Sequence, residues 1–133
     1  MRSLCPGRES IATDVCVPIS RLTECIMETQ ADIKAMGIPA GIVGHVGDGN
    51  FHTQPMVDIK DPREMEAIET FLKRLAERAL RMDGTCTGEH GIGQGKRKYL
   101  VAEHGSALEP MRAIKHALDP LNIMNPDKIL PAA

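Results

Sequence analysis

Apolar residues change period several times along this chain, and each change marks an element. Residues 13–17, Thr-Asp-Val-Cys-Val, are β-rich and closed by Pro18, which predicts a short strand. Leu22, Ile26, Thr29, Ile33 and Met36 then recur at helical spacing behind Ser20, a candidate cap, and Gly37 and Pro39 stop that helix. Residues 40–46 and 51–59 are extended runs on either side of Gly47-Asp48-Gly49-Asn50. Asp-Gly between such runs is a strong hairpin signal.

The clearest helix follows. Asp61 caps it, Pro62 takes its first position, and Glu64 completes an Asp-x-x-Glu arrangement. Met65, Ile68, Leu72, Leu75, Ala79 and Met82 form one apolar stripe that ends at Gly84. Residues 85–87 read as a further short strand, ahead of a glycine-rich loop at 88–95. Ser106 and Glu109 mark a capping box for a last helix carrying Leu108, Met111, Ile114 and Leu118, which Asp119-Pro120 terminates. The methionines on these stripes are expected in the core. Lys73, Arg74, Glu77 and Arg78 are expected on a solvated face, and His104 and His116 at the surface. Strand, helix, strand, strand, helix, strand is the order of an α+β ferredoxin-like sandwich, here with an extra C-terminal helix and tail. One domain over residues 1–133 is the expected organisation.

Composition narrows the function classes. The 133 residues are 42% hydrophobic and 26% charged with a formal net charge of −2, a globular balance with no basic footprint for nucleic acid. Only Phe51, Phe71 and Tyr99 are aromatic, too few for a base-stacking platform. No apolar run approaches the ~20 residues of a spanning helix, and the first residues lack the apolar stretch of a secretory signal. Cys5, Cys16, Cys25 and Cys86 form no Cys-x-x-Cys pair, a spacing that suits reduced thiols inside the cell. The expected location is the cytoplasm, or the surface of the inner membrane.

The candidate chemistry starts at the hairpin, Gly44-His45-Val46-Gly47-Asp48-Gly49-Asn50-Phe51-His52. A two-residue turn at Asp48-Gly49 would set His45 directly opposite His52, on one face, with Cβ atoms ~4.5–5.5 Å apart. Two imidazoles so placed can reach one metal ion, or each can simply hydrogen-bond within the sheet. A one-residue slip would send them to opposite faces. Gln54, two residues beyond His52, faces the same side. Glu89 and His90 lie at the end of the last predicted strand, which can neighbour the hairpin in a ferredoxin-like sheet. Glu89 would then complete a His-His-Glu site with open positions, and His90 would stand beside it as a base. The loop Gly91-Ile92-Gly93-Gln94-Gly95-Lys96 fits neither a phosphate-binding Walker loop nor a dinucleotide fingerprint, since His90, Lys96 and Arg97 stand at required positions. It is an anion-favouring turn or a plain solvated loop.

Four ordered motifs resemble one family: residues 13–22, 44–52, 84–93 and 118–130, the last reading Leu-Asp-Pro-Leu-Asn-Ile-Met-Asn-Pro-Asp-Lys-Ile-Leu. The family is the C-terminal domain of FAD-linked oxidases, of the D-lactate dehydrogenase (cytochrome) and glycolate oxidase type. The resemblance implies that His45, His52 and Glu89 bind a divalent metal (zinc, manganese or iron). It implies that His90 takes the proton from the substrate hydroxyl, that Gln54 contacts substrate, and that the tail around Asn125 returns towards the flavin. The implied reaction is oxidation of a D-2-hydroxy acid, D-lactate or glycolate, to the 2-oxo acid with hydride transfer to FAD. FAD is expected mainly on a separate flavin-binding domain, with a cytochrome or quinone as electron acceptor. Neither that domain nor its carboxylate-binding arginine occurs in this chain, so a truncated form, inactive alone and with an exposed apolar surface, is expected. A stand-alone metal-binding or interaction module and a metal-dependent hydrolase are the alternatives.

Overall fold

A computed structural model describes residues 5–131, whose contacts cluster into two compact units, one up to Glu89 and one from His90 onward. The first unit carries strands β1 (Glu9–Ser10), β2 (Val15–Cys16), β3 (Ala40–His45) and β4 (Asn50–Val57), and helices α1 (Ile19–Met36) and α2 (Pro62–Arg81). It is α+β, as the pattern predicts.

Strand β4 is the spine, with β3 antiparallel on one edge and β1 and β2 on the other. β1 and β2 share one register: Glu9 opposes Val57, Ser10 opposes Met56, Val15 opposes Phe51 and Cys16 opposes Asn50. Backbone bonds from Ile11 N to Pro55 O and from Thr13 N to Thr53 O, each 3.0 Å, bridge the gap between them. The strand expected at 13–17 thus extends back to Glu9 as one irregular ribbon. The last strand of the expected order shrinks to a bridge between Thr85 and Cys16, on the side of β2 away from β4.

Alternation along the strands divides the sheet. Val15, Val17, Phe51 and Val57 enter the core with Leu22 and Cys25 of α1 and Ile68, Phe71, Leu75 and Ala79 of α2. Ala40 and Ile42 of β3 pack against the same core. The residues between them, Asp14, His45, Asn50 and His52, point to the opposite face, which the helices leave uncovered.

Helix boundaries follow local chemistry, with two corrections. Helix α1 starts behind Pro18 with no side-chain cap, so Ser20 falls inside its first turn; Gly37, at φ 64°, ends it in the left-handed region. In α2, Asp61 caps Arg63 N at 2.9 Å and Pro62 takes the first position, as expected. Glu64 does not turn back to Asp61. It accepts from Asp58 N at 2.8 Å and pairs with Arg8 at 2.6 Å, because the arginine draws the carboxylate away from the helix end. Asp83, at φ 58°, rather than Gly84, makes the left-handed exit. The charged face of α2 is not simply solvated. Arg78 is buried, pairs with Asp32 and bonds Glu28 and Thr29 of α1 at 3.0 Å each.

The second unit opens with a 3-10 turn, Arg97–Tyr99, followed by α3 (Leu100–His104) and α4 (Leu108–Leu118). The Ser106–Glu109 capping box does not form. A second 3-10 turn, Gly105–Ala107, occupies the helix entry, and no side chain caps it. Of the stripe expected on the last helix only Leu108 is buried; Ile114 and Leu118 are 62% and 76% exposed. Asp119 finishes α4 by accepting from Ile123 N and Met124 N while paired with Lys115. No helix among the described residues is long and apolar enough to cross a membrane.

Candidate metal centre

The hairpin turns more broadly than its sequence signal suggests. A 3-10 turn over Val46–Asp48 and a left-handed Gly49 (φ 74°) take four residues instead of two. His45 therefore pairs with Asn50, and Val43 opposes His52. The expected register, His45 opposite His52, is corrected by two positions. An even shift keeps side-chain parity, so both imidazoles remain on the uncovered face as diagonal neighbours. Their ring centroids lie 6.4 Å apart, edge to face.

Glu89 reaches both rings. Its Oε1 lies 3.0 Å from His52 Nε2 and its Oε2 3.9 Å from His45 Nε2. One ligating atom from each of the three residues falls within 4.8 Å of the others. Two ligands at ~2.0–2.2 Å from a common ion stand about 3–3.5 Å apart, so His52 and Glu89 already match and His45 needs a small inward movement. His45 is the most exposed of the three, with room for that movement.

His52 is held from behind. Its Nδ1 lies 2.9 Å from the Thr13 carbonyl, which can only accept, so Nδ1 carries a hydrogen and the ring is turned with Nε2 towards Glu89. Beside Thr13, the Asp14 carboxylate is almost fully buried and accepts from Asn50 Nδ2 (2.8 Å), Thr87 Oγ1 (2.8 Å) and Glu89 N (3.0 Å). Gly88 lets the loop come this close, since a Cβ there would strike the Asn50 amide and lie 3.0 Å from Asp14 Oδ1. Cys16 does not offer a ready thiolate. Burial first, then the charges of Asp14 and Asp48, raise its pKa above the ordinary thiol value, and its Sγ donates to the Asp48 carbonyl.

His45, His52 and Glu89 are thus brought together as the sequence suggests. Gln54, half-buried, follows His52 by two residues on β4 and faces the same side, opposite Gly41. His90 and Asn125 belong to the second unit, where both are exposed and Asn125 has φ 46°. Asp14, Asn50 and Thr87 were not anticipated as part of the site. A carboxylate in the middle of a β-rich, core-forming run was the signal available for Asp14.

The model of the family described as "FAD linked oxidases, C-terminal domain" matches residues 3–129. The chain belongs to that family. It is 54% identical over 129 residues to "Probable D-lactate dehydrogenase, mitochondrial" of Danio rerio, covering 96% of this chain and 26% of the relative. Identity to "D-lactate dehydrogenase [cytochrome], mitochondrial" of Arabidopsis thaliana is 45% over 130 residues, covering 97% of this chain and 23% of that one. The chain therefore spans about a quarter of the length of the curated relatives it matches. The fold recurs in a solved structure of 4-ethylphenol oxidase from Gulosibacter chungangensis, with TM-score 0.69 and 18% identity over 98% of this chain and 26% of that one.

Proposed function

We propose that this chain is the substrate- and metal-binding part of a flavin-dependent D-2-hydroxy acid dehydrogenase, acting on D-lactate or glycolate, with His45, His52 and Glu89 as metal ligands. The observation that carries the ligand set is His52, whose ring is fixed by a carbonyl so that its Nε2 lies 3.0 Å from Glu89 Oε1, the spacing of two ligands on one ion. Two imidazoles and one carboxylate are a donor set for zinc, manganese or iron and leave positions open for a small chelating acid. A divalent ion bound there supplies Lewis acidity, lowering the pKa of a coordinated hydroxyl.

The protein's own groups do the rest. His52, opposite Val43 on the sheet, and Glu89, on the segment after α2, present ligand atoms already at matching distance. Gln54 extends that face and is assigned to substrate contact. His90, next in sequence to Glu89, is assigned as the base that accepts the hydroxyl proton. FAD is assigned mainly to a separate domain. Among the described residues the loop after Thr87 leads to one 3-10 turn, not the long helix of a dinucleotide site. Asn125 is the residue assigned to face the flavin from this chain, and a cytochrome or quinone is the proposed acceptor. The cytoplasm or the surface of an inner membrane remains the proposed location.

Elemental analysis and calorimetry on the purified chain test this reading. One zinc, manganese or iron per chain is expected, with D-lactate or glycolate binding only to the loaded form. His52→Ala should lose at least nine-tenths of the metal while keeping its circular dichroism spectrum. Equal metal content in both proteins would overturn the ligand assignment, and ester or amide turnover by the loaded chain without flavin would favour a hydrolase.

A further inference from the structure

Asp14 is an unusual residue to bury. An ionised carboxylate inside a protein is costly unless several donors reach it. The donors here come from separate parts of the first unit: Asn50 at the start of β4, and Thr87 and the Glu89 amide on the segment after α2. Thr13, its immediate neighbour, supplies the carbonyl that fixes the His52 ring, and Asp14 Oδ1 lies 3.7 Å from the same Nδ1. Thr13 Oγ1 in turn accepts from Thr53 N at 2.7 Å, which anchors this ribbon to β4 beside His52. Two consecutive residues therefore grip both ends of the closest pair, the His52 ring and the backbone of Glu89.

Resting on the metal reading above, we infer that Asp14 is a positioning residue that holds Glu89 facing the His52 ring before an ion arrives. An asparagine cannot take its place. Oδ1 accepts from the Asn50 amide and Oδ2 from the Glu89 N–H and the Thr87 hydroxyl, so both oxygens face donors. An amide would turn its NH2 against one of them, leaving a buried donor without an acceptor. The ligand carboxylate is itself half exposed, so without this tether Glu89 samples orientations that miss His52.

The test compares wild type, Asp14→Asn, Thr87→Val and His52→Ala in the full chain. Cobalt(II) affinity and its visible absorption report the ligand set, and hydrogen exchange reports the Glu89 amide. Asp14→Asn is expected to weaken cobalt binding by about 10–100-fold, the usual cost of losing an outer-shell partner, and to accelerate Glu89 exchange. Thr87→Val, which keeps the Asp14 charge and removes one of its donors, should shift both readouts in the same direction by less. It also carries the test if Asp14→Asn does not fold. Unchanged cobalt affinity and unchanged Glu89 exchange in a folded Asp14→Asn, or in Thr87→Val if Asp14→Asn does not fold, would overturn the inference. A wild-type chain that binds no cobalt would overturn the metal reading instead, while the exchange rate of the Glu89 amide would still decide whether Asp14 holds it. A melting temperature lowered without any change in affinity or exchange would reduce Asp14 to a structural role and so refute the proposal.

Discussion

Glycine at position 88 has no room for anything larger. Its α-carbon passes over the Asn50 amide, and an added methyl would meet that amide and Asp14 Oδ1 together. Both neighbours are buried and hydrogen-bonded to each other, so neither can step aside cheaply. Gly88→Ala should therefore push the 87–89 segment off the sheet. The expected result is a loss of about 1–3 kcal/mol in chemical denaturation, the usual range for overpacking, with at least tenfold weaker metal binding in the same protein. An unchanged denaturation midpoint would contradict the close approach. At this scale the sequence announces ligand types well and their supports poorly. His45, His52 and Glu89 stand out because few residue types bind metals. Asp14 and Thr87 are common in strands and turns, and only coordinates reveal that they meet across more than 70 residues of chain.

Elements were legible to the extent that their signals are local. The α2 stripe, its Asp61 cap and Pro62 at its first position depend on neighbours in sequence, and all three appear as expected. The hairpin is legible in its own residues, but the width of its turn is not. Asp-Gly suits a two-residue reversal, yet the 3-10 turn at Val46–Asp48 wins, and Val17 N completes it by bonding Gly49 O at 3.0 Å. That bond comes from the residue after β2 and cannot be seen in residues 44–52. The burial of Arg78 is hidden for the same reason: its partners, Glu28, Thr29 and Asp32, lie 46 to 50 positions away on α1. Arg78→Ala should cost about 1–3 kcal/mol in urea denaturation, since it removes the buried partner of Asp32 and leaves that carboxylate only the half-exposed Arg74, at 2.6 Å. Lys73→Ala, which breaks an exposed pair with Glu77, should cost no more than about 0.5 kcal/mol. Similar costs for the two would mean that the inter-helix clasp contributes nothing beyond surface charge.

On the scale of the molecule the two units differ in what secures them. The first has a continuous core, whereas α4 and the tail leave Ile114, Leu118, Leu121 and Ile123 largely exposed. Asp119 carries much of the local order of that tail. The Lys115 hydrogen bond, aided by the Ile123 and Met124 amides, holds its carboxyl below the ordinary carboxylate value. A group whose folded pKa is depressed stabilises the fold above its unfolded pKa and ceases to do so as pH falls through the folded one. The Ile123 and Met124 amide resonances should therefore keep their positions from neutral pH down to the ordinary carboxylate range and shift towards random-coil values below it. Asp119→Asn should show those shifts already at pH 7. Resonances that move between pH 5 and 7 in the wild-type chain would refute this assignment.

The central place of β4 also dictates an order of assembly. Its hairpin with β3 closes over a handful of residues, but the ribbon that supplies Thr13 and Asp14 must find β4 across 36 to 40 positions. Loop entropy rises with that separation, so the hairpin is the early nucleus and the amino-terminal ribbon a late arrival. Pulse-labelled hydrogen exchange during refolding should protect the Val43 amide, in the hydrogen-bonded pair with His52, before that of Thr13. Rings and carboxylate would then exist as loose neighbours for most of the folding reaction. Newly made chains would become competent to trap an ion only when the ribbon of residues 9–16 returns to close the sheet.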